Sequence, residues 1–435
     1  MGEKMMKTDE FMGYRVKQVH SQQFNSNVMM LAFAQPARKH ATSARALLSY
    51  LMAVSSTKYP SQQAVSKELM ELYGASYSVK VLAYGNMNLI LFSITFVKEE
   101  CLKDLGLSDQ KVLEGVFDFL RSMAFGLDFK VLEENPALLS VEKQNLIQAI
   151  LSRQDDKVAQ ALDESRVRLF EDEALQESIL GDVSEIEALS VSNLEEAYAE
   201  MLNSDERLLF THGAVQEDKL RAALRSWPLK DSLESVTRFV NVPRLKAKNS
   251  EKIKVAGFQQ AVTIMNYQLP VKKDEIAAAL VLNSLFGAGP SSLLFTEVRE
   301  KESLAYNISS RLQVDLNLIT VLAECRPEQA ERIKALVGEQ LVKIQGKSVE
   351  PERFSQAKQA VLSDRIRLED HAQGQAVEGL LKMLAEESIS SSDLLKAVEG
   401  VSLDAVSTLA KKMVEKTSLV LSGQRDDQKE EGKRR

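Results

Sequence analysis

An internal repetition in the order of apolar segments limits this chain's fold more than any other feature of its sequence. A strand-like run, Asn27-Val28-Met29-Met30-Leu31-Ala32-Phe33, precedes helix-forming residues over 44–53. Tyr59-Pro60 makes a turn, and Ser61 stands as a helix N-cap. Val65, Leu69 and Leu72 then fall on one helix face, which Gly74 ends. Strands are predicted at 77–82 and 88–96 around Gly85-Asn86, and an amphipathic helix at 112–123. A long helical region runs from Pro136 to about Phe170 with a break near Asp155-Asp156, and 208–211 reads as a short buried strand. From 261 the order recurs: a strand at 261–267, an apolar helix at 275–286, a break at Gly287-Ala288-Gly289-Pro290 and a second helix at 291–301. Strands at 306–312 and 317–323, a helix at 331–344 and a long helical region from Pro351 complete it. A shift of 229 sets Tyr77 on Tyr306 and Asn88-Leu89-Ile90 on Asn317-Leu318-Ile319, so that 74–96 overlays 303–325 without a gap. Only four of those twenty-three positions are identical, so the order of elements carries the argument. It predicts an α+β fold of two homologous domains, each a largely antiparallel sheet covered by helices on one face.

The boundaries follow from composition. Residues 1–228 form the first domain and 253–423 the second. Between them, 229–252 reads as a linker, interrupted by Pro243 and rich in Arg244, Lys246, Lys248 and Lys252. Residues 424–435 carry nine charges in twelve positions and are expected to be disordered.

Charge and cysteine content exclude whole classes. Lys and Arg number 55 against 62 Asp and Glu, a net charge of −7, and no domain-sized stretch is strongly basic. Nucleic acid is therefore not an expected partner, because neutralising phosphates requires clustered cations. Cys101 and Cys325 stand far apart, with no disulfide framework and no paired-cysteine metal motif. Met1-Gly2-Glu3-Lys4 lacks an apolar signal core, and the apolar stretches near 47–54 and 89–97 are too short to span a bilayer. The expectation is a cytoplasmic protein with no membrane partner.

Familiar catalytic constellations are missing from the sequence. His20, His40, His212 and His371 have no histidine neighbour at zinc-ligand spacing and read as surface or packing imidazoles. The glycine-rich 287–290 lacks the Lys-Ser/Thr of a phosphate loop, although it lets backbone approach closely. One polar constellation stands out, from Arg299 through Glu300-Lys301-Glu302 to Tyr306. Arg supplies fixed donors and permanent charge, and Tyr supplies a hydroxyl; facing a cleft, they suit a peptide carbonyl or an oxyanion. The plain alternative is a solvated helix end followed by a partly buried tyrosine.

The stretch 289–306, from Gly289-Pro290-Ser291-Ser292 through Arg299-Glu300-Lys301-Glu302 to Ala305-Tyr306, resembles the C-terminal signature of the insulinase/pitrilysin-type metallopeptidases, the inverzincins. Tyr59-Pro60-Ser61 with Glu68-Leu69-Met70-Glu71-Leu72-Tyr73-Gly74 is similar to the segment after that family's zinc helix. Leu180-Gly181-Asp182-Val183 resembles a further landmark. The resemblance implies a clam-shell half made of two insulinase-like domains. It also exposes a departure. Active members carry H-x-x-E-H, two histidine ligands and a glutamate base, where this chain has Ala46, Ser49 and Tyr50. Counted from the family's Glu-Lys pair, here Glu142-Lys143, the third ligand position falls at Ala149.

By this resemblance the chain carries a degenerate zinc site and takes no metal or other cofactor. It looks like the non-catalytic, processing-peptidase-alpha-like branch, the YmfF type, in which one subunit brings zinc and base while its metal-free partner brings the Arg and Tyr. The implied partners are a zinc-bearing insulinase-type subunit and a peptide substrate, with a homodimer where that subunit is absent. Arg299 and Tyr306 take the substrate-contact positions. A structural or assembly protein of the same fold, inactive in proteolysis, fits the missing ligands equally well. A stand-alone enzyme with an unrelated site fits least, since no nucleophile–base pair is visible.

Overall fold

The structure is a computed structural model, and it describes residues 4–5, 8–104, 106–107, 111–227, 240–255, 260–387 and 389–423. The tail at 424–435, residue 228 and the first part of the expected linker, 229–239, lie outside the described residues.

The chain divides into two compact units, and each draws on both halves of the sequence. The first takes Met1–Ser152, Glu177–Asn241 and Leu368–Ser388; the second takes Arg153–Gln176, Val242–Arg367 and Ile389–Arg435. The strands of the first are β1 (Lys4–Met5), β2 (Asp9–Phe11), β3 (Tyr14–His20), β4 (Ser26–Pro36), β5 (Ser76–Tyr84), β6 (Met87–Val97) and β7 (Glu206–His212). They order as β1-β3-β7-β4-β6-β5, with β2 paired to β3. The second unit holds β8 (Asn249–Val255), β9 (Ala261–Gln268), β10 (Ala305–Gln313), β11 (Leu318–Cys325) and β12 (Val414–Gly423), in the order β10-β11-β9-β12-β8. The path β3-β7-β4-β6-β5 matches β8-β12-β9-β11-β10 strand for strand. In each, a single parallel pair, β3 with β7 or β8 with β12, is followed by antiparallel neighbours. The repeated α+β unit is thus a repeated sheet topology.

The gapless overlay needs a correction. Tyr84 pairs with Met87 across a two-residue turn, whereas Gln313 pairs with Leu318 across four residues. The shift of 229 superimposes β5 on β10, but the following strands are offset by two further residues. A shift of two keeps every side chain on its face, which hides the longer turn from a reading of hydrophobic pattern. The linker also needs one. Residues 249–252 open β8, an edge strand whose alternate charged side chains face solvent and so read as a tether.

The principal helices are α1 (Thr42–Val54), α2 (Gln62–Glu71), α3 (Val112–Phe125), α4 (Pro136–Asp155), α5 (Lys157–Leu169), α6 (Ile276–Phe286), α7 (Ala330–Gln345), α8 (Pro351–Glu369) and α9 (Ala372–Leu384). Ser61 caps α2 by accepting from the Ala64 N–H at 3.2 Å, and left-handed Gly74 (φ 73°) lies just beyond its end. Asp156 ends the long helix and starts the next, accepting from the N–H groups of Val158 and Ala159.

Both faces of each sheet are covered, not one. Strand β4 is buried at nine consecutive positions, as a strand sandwiched between layers must be. Met29, Leu31 and Phe33 pack in the core that also takes α1 and α3. Val28, Met30, Ala32 and Ala34 point the other way, onto Ala376, Leu380, Met383 and Leu384 of α9. The second sheet repeats this: Ala261 and Met265 join one core, and Val262 and Ile264 meet Ala161 of α5. Each sheet's second face is therefore closed by a helix from the other half of the sequence. A satisfied polar pin holds α5 in place. The Asn266 amide donates to Ser165 Oγ and Thr417 Oγ1, both at 2.6 Å, and accepts from Thr320 Oγ1 at 2.7 Å. Among the described residues no helix is long and apolar enough to cross a membrane.

Candidate functional site

The positions where zinc ligands would stand lie on α1 and α4 of the first unit. The side of α1 that carries them is turned inward. Ala46 is wholly buried within the core, Ser49 is buried, and Tyr50 is half-buried against the same cluster. Ser49 donates its hydroxyl back to the Ala46 carbonyl at 2.7 Å, so that oxygen's proton is spent on its own helix. Burial, and then the nearby Glu142 carboxylate, push the Tyr50 hydroxyl above its ordinary pKa and keep it protonated. Ala149 is half-buried on α4 and has no ligand atom. The pairing of Tyr50 with Glu142 is not legible in the sequence; its one signal is a buried acid on an otherwise mostly exposed helix stretch. Glu142 also accepts from the Asn145 amide at 3.1 Å.

This donor set does not fit a zinc ion. A zinc site asks for three converging N, S or carboxylate ligands, and these four positions offer a methyl at Ala46, a spent hydroxyl at Ser49, a protonated phenol at Tyr50 and a second methyl at Ala149. Among the described residues no group of three His, Cys, Asp or Glu is placed to hold a metal.

The landmark around Gly181 braces the start of α1. Gly181 has φ 83°, and a Cβ there would fall 2.3 Å from Ser43 Oγ, so only glycine allows the approach. Ser43 Oγ accepts from the Asp182 N–H at 3.0 Å and donates to Glu185 at 2.5 Å. His40 joins Glu185 through Nδ1 at 2.6 Å. Lys143 donates to the Leu189 carbonyl at 2.6 Å, fixing α4 to the chain just beyond.

Arg299 and Tyr306 belong to the second unit, and both stand on irregular backbone. Residues Phe295–Lys301 wind as a π-helix, a form that concentrates at functional sites. Arg299 lies in its last turn, exposed, with its guanidinium 4.6 Å from the Phe295 ring centre. Neighbouring charges are matched: Lys301 meets Glu297 at 2.8 Å, and Arg353 donates to Thr296 Oγ1 at 2.7 Å. Among the described residues Arg299 makes no ion pair. The β10–β11 ladder pairs Ala305 with Cys325 and then Asn307 with Glu324, which leaves Tyr306 at a bulge, 52% exposed. A bulge re-aims the extra residue's side chain out of the ladder. Gly287 makes its close approach to the chain's own strand: a Cβ there would sit 2.7 Å from Ser310 Oγ of β10. Arg326, which sequence reading passed over, follows β11 directly, and the nearby Tyr306 and then Glu328 hold its pKa above the ordinary value.

Residues 188–361 match the sequence profile described as the peptidase M16 inactive domain. Over 93% of this chain and 95% of its own length, the probable inactive metalloprotease YmfF of Bacillus subtilis (strain 168) is 22% identical. The chain is thus similar to the insulinase-type, M16 peptidases. A conserved protein from Enterococcus faecalis V583 has the same fold, with a TM-score of 0.85 at 22% identity over 98% of this chain and all of that one. A peptidase M16 inactive domain from Pseudomonas fluorescens superposes with a TM-score of 0.77 at 15% identity, covering 97% of this chain and 98% of that one. Both the matched domain profile and the Bacillus subtilis relative are described as inactive.

Proposed function

We propose that this chain is the metal-free, substrate-contacting subunit of a heterodimeric zinc peptidase that processes peptides or small precursors. One contrast carries the reading: α1 presents Ala46, Ser49 and Tyr50 where a metal would need ligands, while Arg299 and Tyr306 stand exposed on a π-turn and a bulge. In the pair, the zinc and the general base would be held by the partner and would supply the Lewis acid and the activated water. This chain's share is to donate hydrogen bonds from Arg299 and Tyr306 to the peptide backbone, which orients it and strengthens as bulk water is excluded. The reading places the protein in the cytoplasm, in keeping with free Cys101 and Cys325.

The test mixes the purified chain with a subunit bearing H-x-x-E-H. Neither is expected to cleave peptides well alone, and the pair is. Arg299→Ala in the pair should lower kcat/KM at least about tenfold, the scale of one lost charged donor, with the unfolding midpoint unchanged. Normal turnover by that variant pair rejects the assigned role. A stable complex with no proteolysis points instead to a structural or assembly protein, and size-exclusion chromatography of the lone chain reports any homodimer.

A further inference from the structure

We infer that two copies of this chain pair through α4, antiparallel and about a two-fold axis, so that Val141 meets the second copy's Leu151 and Gln144 meets its Gln148. The inference goes beyond the function proposed above and does not depend on it.

The outward line of α4 carries it. The helix rests on the core of its unit by Leu146, Ile147 and Ile150, with Glu142 buried beside them. On the opposite side Ala137, Val141, Gln144, Gln148 and Leu151 are all exposed, at steps of four, three, four and three. Such steps hold one line along a helix and are the spacing of a coiled-coil seam. Val141 is 53% and Leu151 39% exposed. Ser140, Asn145 and Ser152, which border the line, are exposed and uncharged as well. From Pro136 to Ser152 no exposed residue of α4 bears a charge, in a chain where 27% of residues do. A helix face meant for water is normally charged. The cations of α4 are turned aside: Lys143 donates to the Leu189 carbonyl at 2.6 Å, and Arg153 pairs with Asp163 at 2.9 Å. The line first meets charge at Asp155.

A second copy is the occupant because the line complements itself when reversed. Turned about the point midway between Gln144 and Gln148, it sets Val141 against Leu151, Gln144 against Gln148 and Ser140 against Ser152. A two-fold contact must be self-complementary in this way. Apolar side chains meet apolar ones, and each glutamine amide offers the other both a donor and an acceptor. Asp155 of each copy comes to the first turn of the other's α4, where the helix dipole favours an anion. Net charge points the same way. At −7 each, two copies repel over much of their surface, and this face adds no like charge along its length. Twenty residues of helix span about 30 Å, so the contact is of the small class and the association weak and reversible.

Sedimentation equilibrium of the full chain tests the pairing. The parent should pass from monomer to dimer as concentration rises. Val141→Lys and Leu151→Lys should each weaken the dimer about a hundredfold, since symmetry makes each change act twice and each lost apolar contact is worth about tenfold. Both positions are exposed in the single chain, so circular dichroism should show both variants folded. Mixing Val141→Lys chains with Leu151→Glu chains should recover association, because one contact becomes an ion pair and the other is the parent's. Added salt should leave the dimer unchanged or tighten it, as the seam has no ion pair to screen. In a Cys101→Ser background, with Cys325 buried, a short thiol crosslinker should join Val141→Cys chains to Leu151→Cys chains and neither to itself. A parent that stays monomeric at high concentration overturns the inference, as does a dimer indifferent to both lysines or one that salt dissolves. Self-linking of Val141→Cys chains would mean a parallel pair and overturns the arrangement too. If Val141→Lys leaves the lone chain unaltered but breaks its complex with a zinc-bearing subunit, the face belongs to that subunit and the inference fails.

Discussion

Gly379→Ala is the sharpest probe of how α9 closes the first sheet. In an ordinary helix interior this change stabilises by about 1 kcal/mol, because alanine restricts the unfolded chain. Gly379 is not ordinary. A Cβ there would lie 2.2 Å, 2.6 Å and 3.0 Å from three ring carbons of Phe210. Phe210 is 1% exposed in β7, so the ring has nowhere to swing. Carbon atoms sit comfortably at about 3.5–4.0 Å, so helix or ring must retreat by roughly 1.5 Å. Overpacking of this kind costs about 1–3 kcal/mol or more; set against the helical gain, a net loss of about 2 kcal/mol is expected. Trp227, the chain's single tryptophan, packs on Tyr14 and Phe125 of the same unit, so its fluorescence in a urea titration follows that unit alone. The matched control is Gly338→Ala in α7, where a Cβ meets nothing within 4 Å; circular dichroism should show it neutral or stabilising. A Gly379→Ala protein as stable as the parent, or more so, would refute the packing of α9 described above.

Two further outcomes test other parts of the molecule. Asp205 is buried beside Arg45 at 2.8 Å, and burial pushes its carboxyl up to about 6 despite that cation. A folded-state pKa above the unfolded one means the folded protein holds the proton more tightly, so this group's stabilisation is complete below about 4 and fades as pH rises through about 6. Asp205→Asn should flatten the stability profile between those values, by a few kcal/mol at most, and an unchanged slope would contradict the assignment. The second concerns the degenerate site: the combined change Ala46→His, Ser49→Glu, Tyr50→His and Ala149→Glu should give a folded protein that takes up stoichiometric zinc, measured by competition with a metallochromic dye. A folded variant that binds none would mean those four positions do not converge.

The reading of the sequence succeeded where structure is local. The hairpins β5–β6 and β10–β11 each close on a short turn, and α1, α2, α3 and α6 show their buried face in their own spacing. Strands β8 and β12 escaped notice for a physical reason: each takes its partners from far along the chain, and β3, though it pairs locally with β1 and β2, enters the sheet through distant β7. Arg15 and Lys17 in β3 are buried, and Arg15 is neutralised by Glu206 of β7 at 2.7 Å, a pairing that no local pattern announces. Covering of both sheet faces was missed likewise, since α5 and α9 look like ordinary neighbours of the helices before them. At the candidate site, the family resemblance pointed to Arg299, Tyr306 and the α1 positions. The π-turn and the bulge depend on hydrogen-bond register, which residue types alone do not encode.

The exchange of α5 and α9 also has a consequence for synthesis on the ribosome. The first sheet is fully translated once His212 has emerged, yet its second apolar face waits for Leu368–Ser388. Through that interval Val28, Met30 and Phe210 stay open to water or to whatever else in the cell will shelter them. A truncated product that stops short of α9 would expose them permanently, so quality control should clear such fragments far faster than the finished chain.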